Sequence, residues 1–88
     1  MGRLRYKENL SKNEEKLLKK DFAIEFGRYV QRVRKEYSLT QEELAYKTNL
    51  HSTYIGHIET GTYTPSIFVV WKIAQVLKLD LKELLKGF

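Results

Sequence analysis

Apolar positions along this chain recur at helical spacing, and no stretch alternates with the two-residue period of a half-buried strand. Residues 22–37 set Phe22, Phe26, Tyr29, Val30, Val33 and Tyr37 on one stripe, with Glu25, Arg28, Arg32 and Lys35 opposite. That predicts an amphipathic helix burying its aromatic side. Ser38-Leu39 breaks the pattern. Thr40 then opens a second helix, to about residue 47, with Glu43 placed to complete a capping box and Leu39 and Leu44 at staple positions. Thr48-Asn49-Leu50 reads as a turn, with Asn49 suited to a left-handed backbone. A third helix follows over 52–60, Tyr54, Ile55 and Ile58 facing inward, and Gly61 stands where a left-handed cap is expected. Pro65-Ser66 introduces a helix over 66–77, whose buried stripe is Ile67, Val70, Ala74 and Leu77 with Ile73 beside it. Asp80 starts a last helix with Glu83 as capping partner, Leu79 and Leu84 as staple, and Leu81, Leu84, Leu85 and Phe88 as its apolar side.

Ahead of these lies a basic leader, residues 1–20. Ser11-Lys12-Asn13-Glu14 is another capping box, followed by Leu17 and Leu18. Neither Pro nor Gly separates it from residue 22, so it is either a separate short helix or an upward extension. Residues 1–10 are expected to be mobile. The whole predicts an all-α chain with a five-helix domain over residues 21–88.

Composition narrows the picture further. The chain has 88 residues, 42% of them hydrophobic, enough for one small core. It has no cysteine, so packing and capping must stabilise it without disulfides or thiolate zinc. No apolar run approaches the ~18 residues of a bilayer span, Met1-Gly2-Arg3-Leu4-Arg5 has no secretory apolar core, and Gly2 sits in a poor myristoylation context. A cytoplasmic location is expected. Of the net charge of +5, residues 1–20 hold +4 and residues 21–88 only +1. Charge alone is therefore weak evidence for a nucleic-acid partner.

The stretch from Thr40 to Ser66 carries the most information. Two short helices joined by a tight turn, the second with an outward face of Ser52, Thr53, Gly56, His57 and Thr60, form the shape needed to push a helix into the major groove of DNA. Residues 22–85 also resemble the phage-repressor (Xre-type, lambda-repressor-like) helix-turn-helix family. The resemblance is carried by Arg34, by Thr40-Gln41-Glu42-Glu43-Leu44-Ala45, by Tyr54-Ile55, Ile58-Glu59 and Gly61, and by Pro65-Ser66, Ile73-Ala74 and Leu77 in order. Restriction-modification controller proteins are the members most similar in size and layout.

That resemblance implies a double-stranded DNA partner and a set of roles. Gln41, Ser52, Thr53 and His57 would contact bases; hydroxyls can pair with any base edge, and an imidazole can donate to guanine. Thr40, Gly56, Thr62, Tyr63 and Thr64 would lie along phosphates, the loop gripping through amides and hydroxyls. Arg34 and Glu59 would pair, tying the first helix to the recognition helix. Two departures stand out. His51 occupies the usual Ser/Thr cap position, so either it caps poorly or Ser52 takes over. The outward face also lacks Arg, Lys, Asn and Gln, so specificity should lean partly on DNA shape.

Blander readings stand beside these. His51, His57 and Glu59 lack metal-ligand spacing on one face, and no catalytic constellation, cofactor motif or small-molecule site is indicated. Phe68, Val69, Trp71 and Val76 exceed what one buried stripe needs, which predicts a homodimer seam on the fourth and last helices that also includes Phe88. The leader is either a phosphate-contacting segment or a solvated one; membrane-surface attachment through it is disfavoured by its small apolar face. The competing functional classes are an antitoxin-type autorepressor and a protein-interaction module that has lost DNA binding.

Overall fold

A computed structural model describes residues 7–86, apart from the Leu85 side chain. Its residues form five helices and no strand among those described: α1 (Lys12–Glu36), α2 (Gln41–Thr48), α3 (Ser52–Glu59), α4 (Ile67–Leu77) and α5 (Leu81–Lys86). The all-α expectation holds. Phe88 and residues 1–6 lie outside the described residues, and so does most of the stretch expected to be mobile.

Local chemistry sets the boundaries. Ser11 caps α1, accepting from the Glu14 amide while the Glu14 carboxylate accepts from the Ser11 amide. With nothing to interrupt it, the helix then runs unbroken for 25 residues, so the leader's helix is an extension of the aromatic one. Thr40 and Glu43 form the same reciprocal box on α2, and Ser66 caps α4 through the Val69 amide. Asn49 (φ 56°) and Gly61 (φ 77°) take the left-handed backbone expected of them. Ser38 and Lys78 do so as well, at φ 57° and 55°; their residue types carry no such signal.

The core gathers Phe26 and Val30 from α1, Leu44 from α2, Ile55 and Ile58 from α3, and Ile73 and Leu77 from α4, all fully buried. α1 crosses α3 so closely that a Cβ on Gly27 would overlap the Ile58 carbonyl and stand 2.8 Å from the Glu59 oxygen. Gly27 is therefore small by necessity, and Ala23 and Arg34 join it on the buried side.

Three expectations need correction. Tyr37 is 44% exposed, because α1 ends at Glu36 and the turn through Ser38 sends Leu39 inward instead. Ile67 is 74% exposed: it shares a stripe with Val70 and Ala74, but as the first residue of α4 it projects past the edge of the core. At α5, Glu83 does not close a box with Asp80. The Asp80 amide donates instead to the Tyr29 hydroxyl at 2.8 Å, while Asp80 Oδ1 accepts from Lys82 N at 3.0 Å. That tie pins the last helix to α1.

Candidate nucleic-acid interface

α2, the turn 49–51 and α3 form the unit on which the site is built. The Thr48 hydroxyl is buried and donates back to Leu44 O at 2.7 Å, closing the end of α2. Asn49 then reverses the chain, and the Leu50 amide returns to Ala45 O at 2.9 Å. His51 is the N-cap of α3 and makes no side-chain cap bond, so it caps poorly and the helix still begins at Ser52.

Glu59, the last residue of α3, anchors that helix to both of its neighbours. Arg34 grips the carboxylate through Nε and Nη2, the latter at 3.0 Å, and its Nη1 donates to Leu39 O at 2.7 Å. Gln41 Nε2 reaches the same carboxylate at 3.0 Å and Gln31 Nε2 at 3.4 Å. Hydrogen bonding to Glu59 raises the Arg34 pKa above its ordinary value, against a smaller opposing effect of burial. Among the described residues no buried side-chain polar atom lacks a partner. A forked guanidinium suits this role because it meets two carboxylate oxygens in one plane. Gln31 gives no sign of this role in the sequence, where a polar residue beside a stripe looks like a solvated one.

Outward from this anchor, Thr53 is exposed, while Ser52, Gly56 and His57 are half-buried. The His57 ring lies 4.6 Å from that of Tyr63, which in turn lies 5.6 Å from Tyr54. The loop after α3 is folded back on the helix: the Thr62 and Tyr63 amides both donate to His57 O, at 2.9 and 3.3 Å. Those two amides are engaged, so what the loop turns outward at these positions is side chain. Thr62 and Thr64 are exposed, and the Thr60 and Thr62 hydroxyls share a 2.9 Å bond. Thr40 is exposed at the start of α2, its hydroxyl accepting from Glu43. Gly56 faces Gln41, whose Oε1 would stand 3.6 Å from an added Cβ. Gln41 thus lies over the middle of α3 with its amide nitrogen on Glu59 and its oxygen toward Gly56.

Four of the sequence-read residues, Gln41, Ser52, Thr53 and His57, border one face with Thr60 and Thr62. Phe68 and Trp71 lie elsewhere, on the exposed side of α4, stacked with ring centroids 6.0 Å apart. Val69 and Val76 are partly buried against the core.

The helix-turn-helix family model matches residues 30–84, the stretch from the last turns of α1 into α5. The chain belongs to the helix-turn-helix family. It is 41% identical over 61 residues to the control protein C.BamHI of Bacillus amyloliquefaciens, an alignment covering 68% of this chain and 75% of that protein. It is 34% identical over 58 residues to the immunity repressor protein of Bacillus phage phi105, covering 66% of this chain but 40% of the repressor. The solved structure of the restriction-modification controller protein C.AhdI from Aeromonas hydrophila superposes with a TM-score of 0.68 at 29% identity, covering 74% of this chain and 94% of that one. This helix-turn-helix chain thus shares both fold and layout with small transcriptional regulators. No helix among the described residues is long and apolar enough to cross a membrane.

Proposed function

We propose that this helix-turn-helix protein is a sequence-specific, double-stranded DNA-binding transcriptional regulator, working as a homodimer on a pseudo-palindromic operator. One observation carries the reading. α3 presents Thr53 to solvent between Ser52 and His57, while its far end is locked by Glu59 to α1 and α2. A rigid rod with a small polar outer face can enter a major groove without reorganising. Being related to a control protein and to a phage repressor supports a regulator of transcription rather than an enzyme, in the cytoplasm.

In this reading Ser52, Thr53 and His57 read base edges, and Gln41 buttresses α3 while offering its oxygen at the same edge. Thr40, Gly56, Thr62, Tyr63 and Thr64 lie along the phosphates. Phe68 and Trp71, with Val69 and Val76, join two copies so that both α3 helices face one side of the duplex. An antitoxin-type autorepressor would use the same surface. The near-neutral charge of residues 21–88 favours one second reading, a protein-interaction module.

Selection of bound fragments from a random duplex library decides between them. Enrichment of two related half-sites about one helical turn apart is expected. A library that returns no enriched sequence removes the regulator and leaves the interaction module.

A further inference from the structure

The unbroken α1 reaches well beyond the helix-turn-helix unit. Its buried stripe, Gly27 and Ala23 against α3, continues toward the N-terminus at helical spacing as Lys20 and Lys16, with Lys19 beside them. That extension precedes the stretch shared with the family. It overhangs the end of α3, and the loop after α3 is seated directly beneath it: a Cβ on Gly61 would stand 2.9 Å from the Ile24 Cα. Between them lies an open cleft of about 550 Å³, lined by Lys16, Lys19 and Lys20 on one side and by Thr60, Gly61, Thr62 and Thr64 on the other.

The chemistry of this cleft is one-sided. Three exposed lysines line it together with three exposed threonines, and among the described residues no carboxylate does. None of the three lysines is paired with an acidic side chain among those residues. Lys16 and Lys20 stand four apart on α1, a like-charge spacing that disfavours the helix, and the nearby Glu15 lies outside the cleft. Ammonium groups beside hydroxyls are the combination that holds phosphate oxygens without reading sequence.

We infer that this cleft is a second phosphate-backbone clamp, in which Lys16, Lys19 and Lys20 seize the DNA strand that leaves the loop after α3. The inference rests on the DNA-binding reading and deepens it. α1 becomes part of the DNA interface, and the protein's footprint extends along the backbone past the bases touched by α3. It also relocates the electrostatics of binding. Residues 21–88 together are nearly neutral, so much of the attraction to a polyanion comes from the first turns of α1.

The experiment uses the full chain and a fluorescein-labelled duplex of mixed sequence, with anisotropy titrations across a potassium chloride series. Lys16→Gln/Lys19→Gln/Lys20→Gln is compared with wild type and with Lys35→Gln/Lys47→Gln, remote on α1 and α2. All five positions are exposed, and Gln is as good a helix former as Lys, so circular dichroism should match throughout. Each lost phosphate contact lowers the salt slope by about 0.9, so three lower it by about 2.7. Between about 50 and 200 mM salt, the triple variant should therefore lose about 40-fold less affinity than wild type does. The remote pair should follow wild type. A triple variant that keeps the wild-type slope overturns the clamp and leaves the DNA reading standing. The clamp is equally overturned if the remote pair changes the slope as much, since net charge alone is then responsible. A wild type whose binding is indifferent to salt removes the DNA reading, and the clamp with it.

Discussion

Glu59 is the residue on which the recognition helix turns. Its carboxylate is buried and accepts from Arg34, Gln41 and Gln31, so three positions on two helices converge on one side chain. Arg34→Met should destabilise the fold by about 3–5 kcal/mol, because it leaves a buried carboxylate with only neutral donors. Urea denaturation would show this as a lower midpoint at unchanged slope. Arg34→Met/Glu59→Leu should lie closer to wild type than the single change, and a double variant worse than Arg34→Met would refute the pair's importance. The pKa of Arg34 is raised, so its contribution is complete below the ordinary arginine value and would be lost only above it. The guanidinium itself therefore adds no pH dependence near neutrality. The two glycines on these helices should behave oppositely. Gly27→Ala drives a methyl into the α3 backbone and should cost at least about 1–3 kcal/mol. At Gly56 a methyl meets only Gln41 at van der Waals distance, and Gly56→Ala should gain about 1 kcal/mol from helix propensity. Thermal melts of the two variants check both signs. The sequence shows such positions poorly. An isolated glycine inside a helical stripe can mark close packing, yet the apolar pattern of residues 22–37 does not single out Gly27. Which polar neighbours converge on Glu59 depends on how α1 crosses α3, and a linear pattern does not contain that angle.

At the scale of elements, capping chemistry and periodicity carry most of the fold. Ser11, Thr40 and Ser66 each start a helix where a side-chain oxygen can accept from the third amide on. Where the pattern misleads, tertiary geometry is the cause. Asp80 takes Tyr29 rather than Glu83, and Ile67 keeps its stripe but runs off the end of the core. The extension of α1 hinges on one such cap. Its Glu14 carboxyl is held below its ordinary pKa, chiefly by the hydrogen bond from the Ser11 backbone and then by the Ser11 hydroxyl contact and Lys7. A lowered carboxyl stabilises the folded form above the ordinary glutamate value and loses that effect as pH falls through the lowered one. The start of α1 should therefore fray in acid before the core does. Hydrogen exchange should show amides 15–19 losing protection as pH drops through the range in which Glu14 protonates, with the Phe26 and Val30 amides still protected. Ser11→Ala should produce the same fraying at neutral pH. Protection that falls uniformly along α1 would mean the extension is not held by its cap.

The described residues span 40 × 24 × 19 Å, and the long axis is close to the length expected of α1 at about 1.5 Å per residue. A chain this small leaves little room to hide large side chains, yet α4 leaves three of them in water. Ile67, Phe68 and Trp71 are 74%, 61% and 50% exposed, and the last two are stacked on one another. Scattered apolar residues are ordinary on a surface, but a contiguous aromatic and aliphatic cluster on one helix asks for a partner. A second copy meets that need with the least additional information, because a two-fold contact reuses the same patch on both sides. In the proposed reading such a pair would also place two α3 helices on one duplex, adding a second set of contacts to those one copy makes. Phe68→Lys/Trp71→Glu should then give a folded monomer by sedimentation, with wild-type helicity, since neither side chain supports the monomer's core. Loss of the dimer should weaken binding to a two-half-site duplex far more than to a single half-site, because only the former draws on both copies. A double variant that still sediments as a dimer would move the seam off this face of α4, and equal weakening on both duplexes would mean that the patch touches DNA rather than a twin.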